Sequence, residues 1–399
     1  MKIFVFCASL SHGKGGAERI ATNLIYEMVG RGHQLFVGYD GAKAQKPAYS
    51  QHDKAILVPF LENEAFRDEI IKINPDIFFV FYFNADLMTY RKLCPKNIPF
   101  GMQECTNPKR LCCDNWKSQT GKDVNATWER EIIASSATRI RMVMPGYENS
   151  FPPYIRRNVR AFPNSAPEIG IGKVADNSGV KRKRIIIVGG LKANKNLVLL
   201  IKAFSRLPSE LSNWEVHDYG TKLDDQNEYH QIIKELVFTY KLTDRIIFNG
   251  PTDDIFKEYS KADIHVIPSL SEGCPTCVLE AMAHGIPSVG VASCPGTNEL
   301  IKHNSNGILV NNDENGANLA EALRILMTSS DIRKKMGGQA YIDAKQFQPQ
   351  ETYDSWEKLF KEMANYKGNP NMLFQEQTTI DKERAMHMAR CRRKLFKQE

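Results

Sequence analysis

No apolar run in the 399-residue chain approaches the ~20 residues a membrane span requires, and the longest clean one covers only 77–83. The opening stretch, MKIFVFCASLSHGKGG, lacks the apolar core and the small-x-small site of an export leader, so it reads as a first strand. Without that signal the nine irregularly spaced cysteines read as reduced thiols of a cytoplasmic chain, and the sequon Asn125-Ala126-Thr127 is uninformative. The phosphate-loop pattern G-x-x-x-x-G-K-[ST] is missing, and Gly13-x-Gly15-x-x-Glu18 fails the dinucleotide fingerprint at its third glycine. Asp253-Asp254 lacks the D-x-D spacing of a metal-holding acidic pair and reads as a solvated turn. His12, His33, His217, His265 and His303 show no ligand spacing, so no metal is expected. The basic stretches lack interleaved aromatics, which argues against nucleic acid as a partner.

What is present is globular. Hydrophobic residues make up 42% and charged residues 25%, and the length suggests two domains. Apolar strand patterns alternate with helical ones through the first half, with strands at 2–7, 34–38, 77–83, 98–103 and 141–144 and helices at 17–29, 64–72 and 125–136. The run Ile-Phe-Phe-Val-Phe-Tyr-Phe at 77–83 is apolar on both faces, as a parallel strand covered by helices should be. A Gly-, Pro-, Ser- and Asn-rich linker follows, and the alternation restarts at 184. The expected organisation is an N-terminal domain at 1–165, a linker at 166–183 and a second domain at 184–350. A helix at 351–366 returns towards the first domain, and a basic tail occupies 367–399. The fold class is α/β, with two Rossmann-like parallel-sheet domains facing across a cleft at their carboxyl ends.

The positive charge is uneven. Residues 91–160 hold 13 basic against 6 acidic side chains, and 381–399 hold 7 against 3. Such clustering favours anionic partners. Lys109, Arg110, Arg156, Arg157 and Arg160 are candidates for peripheral contact with an anionic membrane, with an acidic-glycan face or a solvated surface as equal alternatives. Lys181-Arg182-Lys183-Arg184 reads as a solvated linker end.

The most informative segment runs from Pro268 to Pro287 after the strand at 264–267. Gly273 permits a tight turn, and Pro275 suits a first helical position, where its missing N–H is harmless. The helix that follows should direct the free N–H groups of Thr276, Cys277 and Val278 at a phosphate. Glu280 lies about 7 Å up that helix, roughly the distance from a diphosphate to a ribose, and Glu272 sits in the turn, where a sugar would lie. For an arbitrary pair of glutamates solvent exposure would be the better reading; the strand, glycine turn, proline and helix around this pair favour function. Cys274-x-x-Cys277 has dithiol spacing, but no second pair completes a zinc site. Cys112-Cys113 read as ordinary thiols.

These residues resemble the retaining GT-B glycosyltransferases of glycosyltransferase family 4, the group 1 transferases. The family element E-G-x-P-x-x-x-L-E-A-M-A-x-G-x-P is matched from Glu272 to Pro287. Further matches are Gly15-Gly16-Ala17-Glu18-Arg19, Pro163-Asn164, Val188-Gly189-x-Leu191-x-x-x-Lys195-Asn196 and Asp244-Arg245-Ile246-Ile247-Phe248-x-Gly250. The resemblance implies a nucleoside diphosphate sugar as donor, UDP-sugar before GDP-mannose, and a glycan or lipid-linked saccharide as acceptor, in cell-envelope or surface polysaccharide synthesis. It implies that Glu272 contacts the donor sugar, Glu280 the ribose and Lys195 the leaving diphosphate. Gly273, Cys274, Pro275, Thr276, Cys277, Gly189 and Gly190 would complete the donor site without a metal or other cofactor. Asn249 and Gly250 would read the base, and Gly15 and Gly16 would admit donor or acceptor closely. Two departures stand out. Gly190 replaces the arginine of V-G-R-L, for which Lys192 or a basic residue of the first domain is a candidate substitute, and Cys105 falls where many members place a histidine. Cys105 and Glu104 are therefore acceptor-side candidates. A catalytically weak nucleotide-sugar or glycan-binding protein and a nucleotide-sugar epimerase are the competing readings.

Overall fold

The computed structural model describes residues 1–11, 15–81, 87–108, 126–168 and 182–366. His12, Gly13, Lys109, Arg110, Cys112, Cys113, Asn125, Lys181, most of the expected linker and the basic tail lie outside the described residues. The chain forms two compact units. One joins Met1–Pro163 to the described residues from Tyr353 onward, and the other is Asn164–Thr352.

The first unit is built on a seven-stranded sheet whose described pairings are all parallel: β1 (Lys2–Phe6), β2 (Gln34–Asp40), β3 (Ile56–Phe60), β4 (Ile77–Val80), β5 (Phe100–Glu104), β6 (Arg139–Met142) and β7 (Val159–Ala161), in the order 3-2-1-4-5-6-7. Phenylalanines supply both faces of its core. Phe4, Phe78 and Phe100 stack in succession at 5.1 and 6.2 Å between centroids. One residue along, Phe79 meets Trp356 and Phe360 of the helix Pro349–Ala364 at 5.3 and 5.5 Å. The period of two thus explains why 77–83 is apolar throughout, although the strand itself ends at Val80. Trp356 is 1% exposed, so Trp356→Ala should destabilise this unit by about 3–5 kcal/mol. Urea denaturation measures this, and an unchanged midpoint would remove the helix from the core. Two strands of this unit had no counterpart in the sequence reading. In β3 four of five residues are not buried and Pro59 interrupts the run, as an edge strand allows; β7 has three residues.

Much of the positive charge of 91–160 proves internal. Arg91, Arg130 and Arg141 are buried, and Arg139 and Arg160 both pair with Glu362 at 2.8 and 2.7 Å. Among the described candidates for membrane contact, only Arg156 and Arg157 remain on the exposed face.

The second unit holds six parallel strands: β8 (Lys183–Gly189), β9 (Trp214–Gly220), β10 (Ile246–Gly250), β11 (Ile264–Ile267), β12 (Ser288–Val291) and β13 (Gly307–Val310), in the order 10-9-8-11-12-13. The chain leaves β8 on one side for β9 and β10, then returns to its other side with β11. That reversal opens a crevice at the carboxyl ends of β8 and β11, where open α/β sheets place their ligands. The turn Gly189-Gly190 and the loop beginning at Pro268 emerge there. The helix Ser330–Ala344 escaped the sequence reading because two consecutive glycines interrupt its pattern. A Cβ at Gly337 would stand 2.0 Å from the Gly285 carbonyl oxygen, so glycine lets this helix lie against the turn after the helix Thr276–Ala283.

Candidate active site

β8 ends at Gly189, and the neighbouring β9 passes it at Gly220, whose φ of +151° and 1.7 Å Cβ-to-carbonyl approach to Gly189 admit no side chain. The chain then makes the short turn Ala193–Lys195, ended by Asn196 in the left-handed region. The Leu270 N–H donates to the Asn194 carbonyl at 2.9 Å and ties this turn to the loop after β11. That contact brings two residues 77 positions apart together. The Lys195 Nζ donates to Glu272 Oε1 at 2.6 Å.

The loop is clamped on several sides. Gly296, at φ +80°, lets its backbone approach Gly273, since a Cβ there would stand 2.4 Å from the Gly273 carbonyl oxygen. The Glu272 N–H donates to the Pro295 carbonyl at 3.2 Å, and the buried Asn164 amide donates to the Cys274 carbonyl at 2.9 Å. The helix begins at Thr276, and Pro275 is its extended N-cap rather than its first helical residue. With ψ at 112°, Pro275 turns its carbonyl to accept the Val278 N–H at 3.1 Å. Of the three N–H groups expected to be free, Val278's is therefore engaged. Those of Thr276 and Cys277 have no backbone acceptor among the described residues.

Gly189, Gly190, Lys195, Glu272 and Cys277 line one small cavity, together with Asp218 of β9 and Ser269. Burial opposes the charge of Lys195, but the Glu272 carboxylate more than offsets this and holds its ammonium above the usual lysine range. Burial pushes the Cys277 thiol up to about 12. Neither Cys274 nor Cys277 is in a disulfide, both are buried, and a thiol as hard to ionise as that of Cys277 is a poor redox nucleophile, which argues against the dithiol reading. Glu280 is 3% exposed, so it is no solvated glutamate. The Lys192 chain passes Gly190, with carbons 3.7 and 3.8 Å from where a Cβ would stand. Asn249 lies at the exposed end of β10, its amide donating to the Ile247 carbonyl at 3.3 Å, and Gly250 follows at φ +72°. Asp254 caps the helix Ile255–Tyr259 through the Lys257 N–H, a structural task. No three His, Cys, Asp or Glu side chains form a ligand-like group among the described residues.

In the first unit, Gly15 caps the helix Gly16–Gly30 and accepts the Tyr49 hydroxyl at 3.3 Å. Cys105 accepts the Gln103 amide at 2.7 Å, and burial raises its thiol to about 11. Glu104 is fully buried and held by Arg130 through two bonds of 2.5 and 2.9 Å. Asp218 is the cavity residue that the sequence reading missed. Its only signal was a second acid, after Glu215, in a strand whose burial is complete from Trp214 to Tyr219.

Residues 173–343 match the family of glycosyl transferases group 1. The chain is 28% identical over 48% of its length to a GalNAc-alpha-(1->4)-GalNAc-alpha-(1->3)-diNAcBac-PP-undecaprenol alpha-1,4-N-acetyl-D-galactosaminyltransferase of Campylobacter jejuni, of which it covers 51%. A second protein of that organism, N-acetylgalactosamine-N,N'-diacetylbacillosaminyl-diphospho-undecaprenol 4-alpha-N-acetylgalactosaminyltransferase, is 23% identical over 87% of the chain and 95% of its own length. The chain spans about half or less of the length of the first curated relatives it matches. Among solved structures, Anabaena HepE in complex with UDP and glucose superposes with a TM-score of 0.71 at 15% identity, covering 90% of this chain and all of its own. The shared architecture is GT-B, two parallel-sheet Rossmann-like domains.

Proposed function

We propose that the chain, whose residues 173–343 match the family of glycosyl transferases group 1, moves a sugar from a nucleoside diphosphate to a hydroxyl of a glycan or lipid-linked saccharide. The observation that carries the proposal is the Lys195–Glu272 pair, held at 2.6 Å beside the amino end of the helix Thr276–Ala283. Breaking a sugar–phosphate bond builds negative charge on the diphosphate. A fixed cation and backbone N–H groups aimed at that charge lower the barrier without reorganising. Lys195 and the N–H groups of Thr276 and Cys277 fill that role, with Lys192 as the second cation and no metal ion needed. Glu272 accepts hydroxyls of the transferred sugar, and its bond to Lys195 orients both side chains before the donor arrives. Glu280 takes the ribose, and the backbone around Asn249 and Gly250 takes the base.

UDP-sugar is the favoured donor. A relative bearing UDP in the same fold and two acting on undecaprenyl-linked saccharides support UDP and a lipid-linked acceptor for this chain. Retention of configuration follows from the family resemblance. The test is nucleotide release, with mass spectrometry of the product, across UDP-sugars and GDP-mannose with lipid-linked and soluble acceptors. Transfer that persists in excess chelator is the expected result. Nucleotide binding without transfer or donor hydrolysis would favour the binding-protein reading instead, and an altered donor sugar without acceptor would favour the epimerase.

A lipid-linked acceptor would bring the protein to an anionic surface, with Arg156, Arg157 and the basic stretch 381–399 as the contact. Flotation with anionic vesicles, reversed by raised salt, is the expected outcome; no flotation at low salt would remove this part of the proposal.

A further inference from the structure

We propose that the Asp218 carboxyl donates a hydrogen bond to the diphosphate of the donor. The proposal rests on the donor-site reading above and adds to it a residue that no family motif supplies. Asp218 lies near the carboxyl end of β9, in register with Ile187 of β8 and Phe248 of β10. It is 2% exposed, and its Oδ2 has no hydrogen-bond partner. An uncompensated buried carboxyl is expensive to keep, and its place on the wall shared with Lys195, Glu272, Gly189 and Gly190 is where a ligand would satisfy it.

The surrounding groups favour the protonated form. Lys195 is committed to Glu272, and the Cys277 thiol is uncharged. On the helix Glu228–Thr239, His230 is tied to the Leu191 carbonyl and the Asp224 N–H, both at 2.9 Å. On β10 the Asn249 amide meets the Asp218 backbone carbonyl at 3.4 Å, together with the His217 Nδ1 and the Ile247 carbonyl, and not the Asp218 carboxyl. The strand neighbours His217 and Tyr219 alternate to the opposite face, where they meet Glu215 and Glu258. With no cation assigned to it, burial pushes the Asp218 carboxyl up to about 7. As an acid it can donate its O–H to a phosphate oxygen; as an anion it repels the same oxygen. Donor binding should therefore weaken as pH rises through 7.

Calorimetry with UDP at pH 6 and pH 8 tests this on the full chain and on Asp218→Asn, which keeps a donor and cannot titrate. UDP's own ionisation affects both proteins alike. Asp218→Asn should bind like the parent at pH 6 and about tenfold more tightly than the parent at pH 8. Asp218→Ala should bind about tenfold more weakly than the parent at pH 6. Parallel pH profiles for the parent and Asp218→Asn, or undiminished binding by Asp218→Ala at pH 6, would overturn the proposal. If UDP binding is lost in Lys195→Ala meanwhile, the donor-site reading stands. If the parent binds no UDP at all, the donor-site reading fails, and this proposal with it. Thermal unfolding without ligand gives an independent reading. The folded carboxyl holds a proton that the unfolded chain releases from about pH 4 upward, so the parent should lose stability relative to Asp218→Asn as pH rises from 4 to 7. A difference that stays constant with pH would show the carboxyl already ionised and would likewise overturn the proposal.

Discussion

Lys195→Ala is expected to lower turnover by about 10²–10³-fold, the usual effect of removing one preorganised group that faces developing charge. The lysine does two things that alanine cannot. It places a cation where the leaving diphosphate gains charge, and it holds the Glu272 carboxylate at 2.6 Å. Without it, Glu272 becomes an uncompensated anion in the diphosphate's own cavity, so donor affinity should fall along with turnover. Glu272→Ala should behave differently. It leaves the cation in place, and UDP, which carries no sugar, should bind nearly as well as to the parent while transfer falls by a similar factor. Nucleotide release and UDP calorimetry on the two variants separate these roles. Unchanged turnover in either variant would contradict the assignment.

Arg130→Ala is expected to cost about 3–5 kcal/mol of stability in the first unit. Arg130 and Glu104 are both fully buried, and the guanidinium binds both carboxylate oxygens, at 2.5 and 2.9 Å. It also donates to the Ser150 hydroxyl at 2.7 Å and lies 3.6 Å from the centroid of the Phe151 ring. Truncation therefore strands a buried carboxylate and opens a cavity beneath Phe151. Replacing both partners, with Arg130→Met and Glu104→Gln together, removes both charges and should recover much of the loss. Urea denaturation of the single and double variants makes the comparison. Equal losses in both would show that packing, not the stranded charge, sets the penalty.

At Glu104 the sequence shows the carboxylate but not its partner, and the reason is physical. Glu104 ends a strand beside Cys105, at a position that resemblance marks as acceptor-side; nothing local announces that Arg130, 26 residues on, will neutralise it. The same holds for the basic region, where Glu362 neutralises two arginines from the far end of the chain. Local patterns fared better. The strand at 264–267, the glycine turn and the helix from Thr276 were legible because each follows from the conformational limits of a few adjacent residues. Even there Pro275 fell one position outside the helix, a detail set by its ψ and not by its residue type. The edge strand β3 and the helix Ser330–Ala344 were illegible because neither shows a clean period, one being largely exposed and the other carrying Gly337 and Gly338. Asp218 looked unremarkable until the register with Ile187 placed it on the cavity wall.

A crystal structure with UDP tests the central claim most directly. The diphosphate should lie against the Thr276 and Cys277 N–H groups, within hydrogen-bond reach of Lys195. A diphosphate bound elsewhere in the chain, or one bridged to the protein only through a divalent cation, would contradict the account.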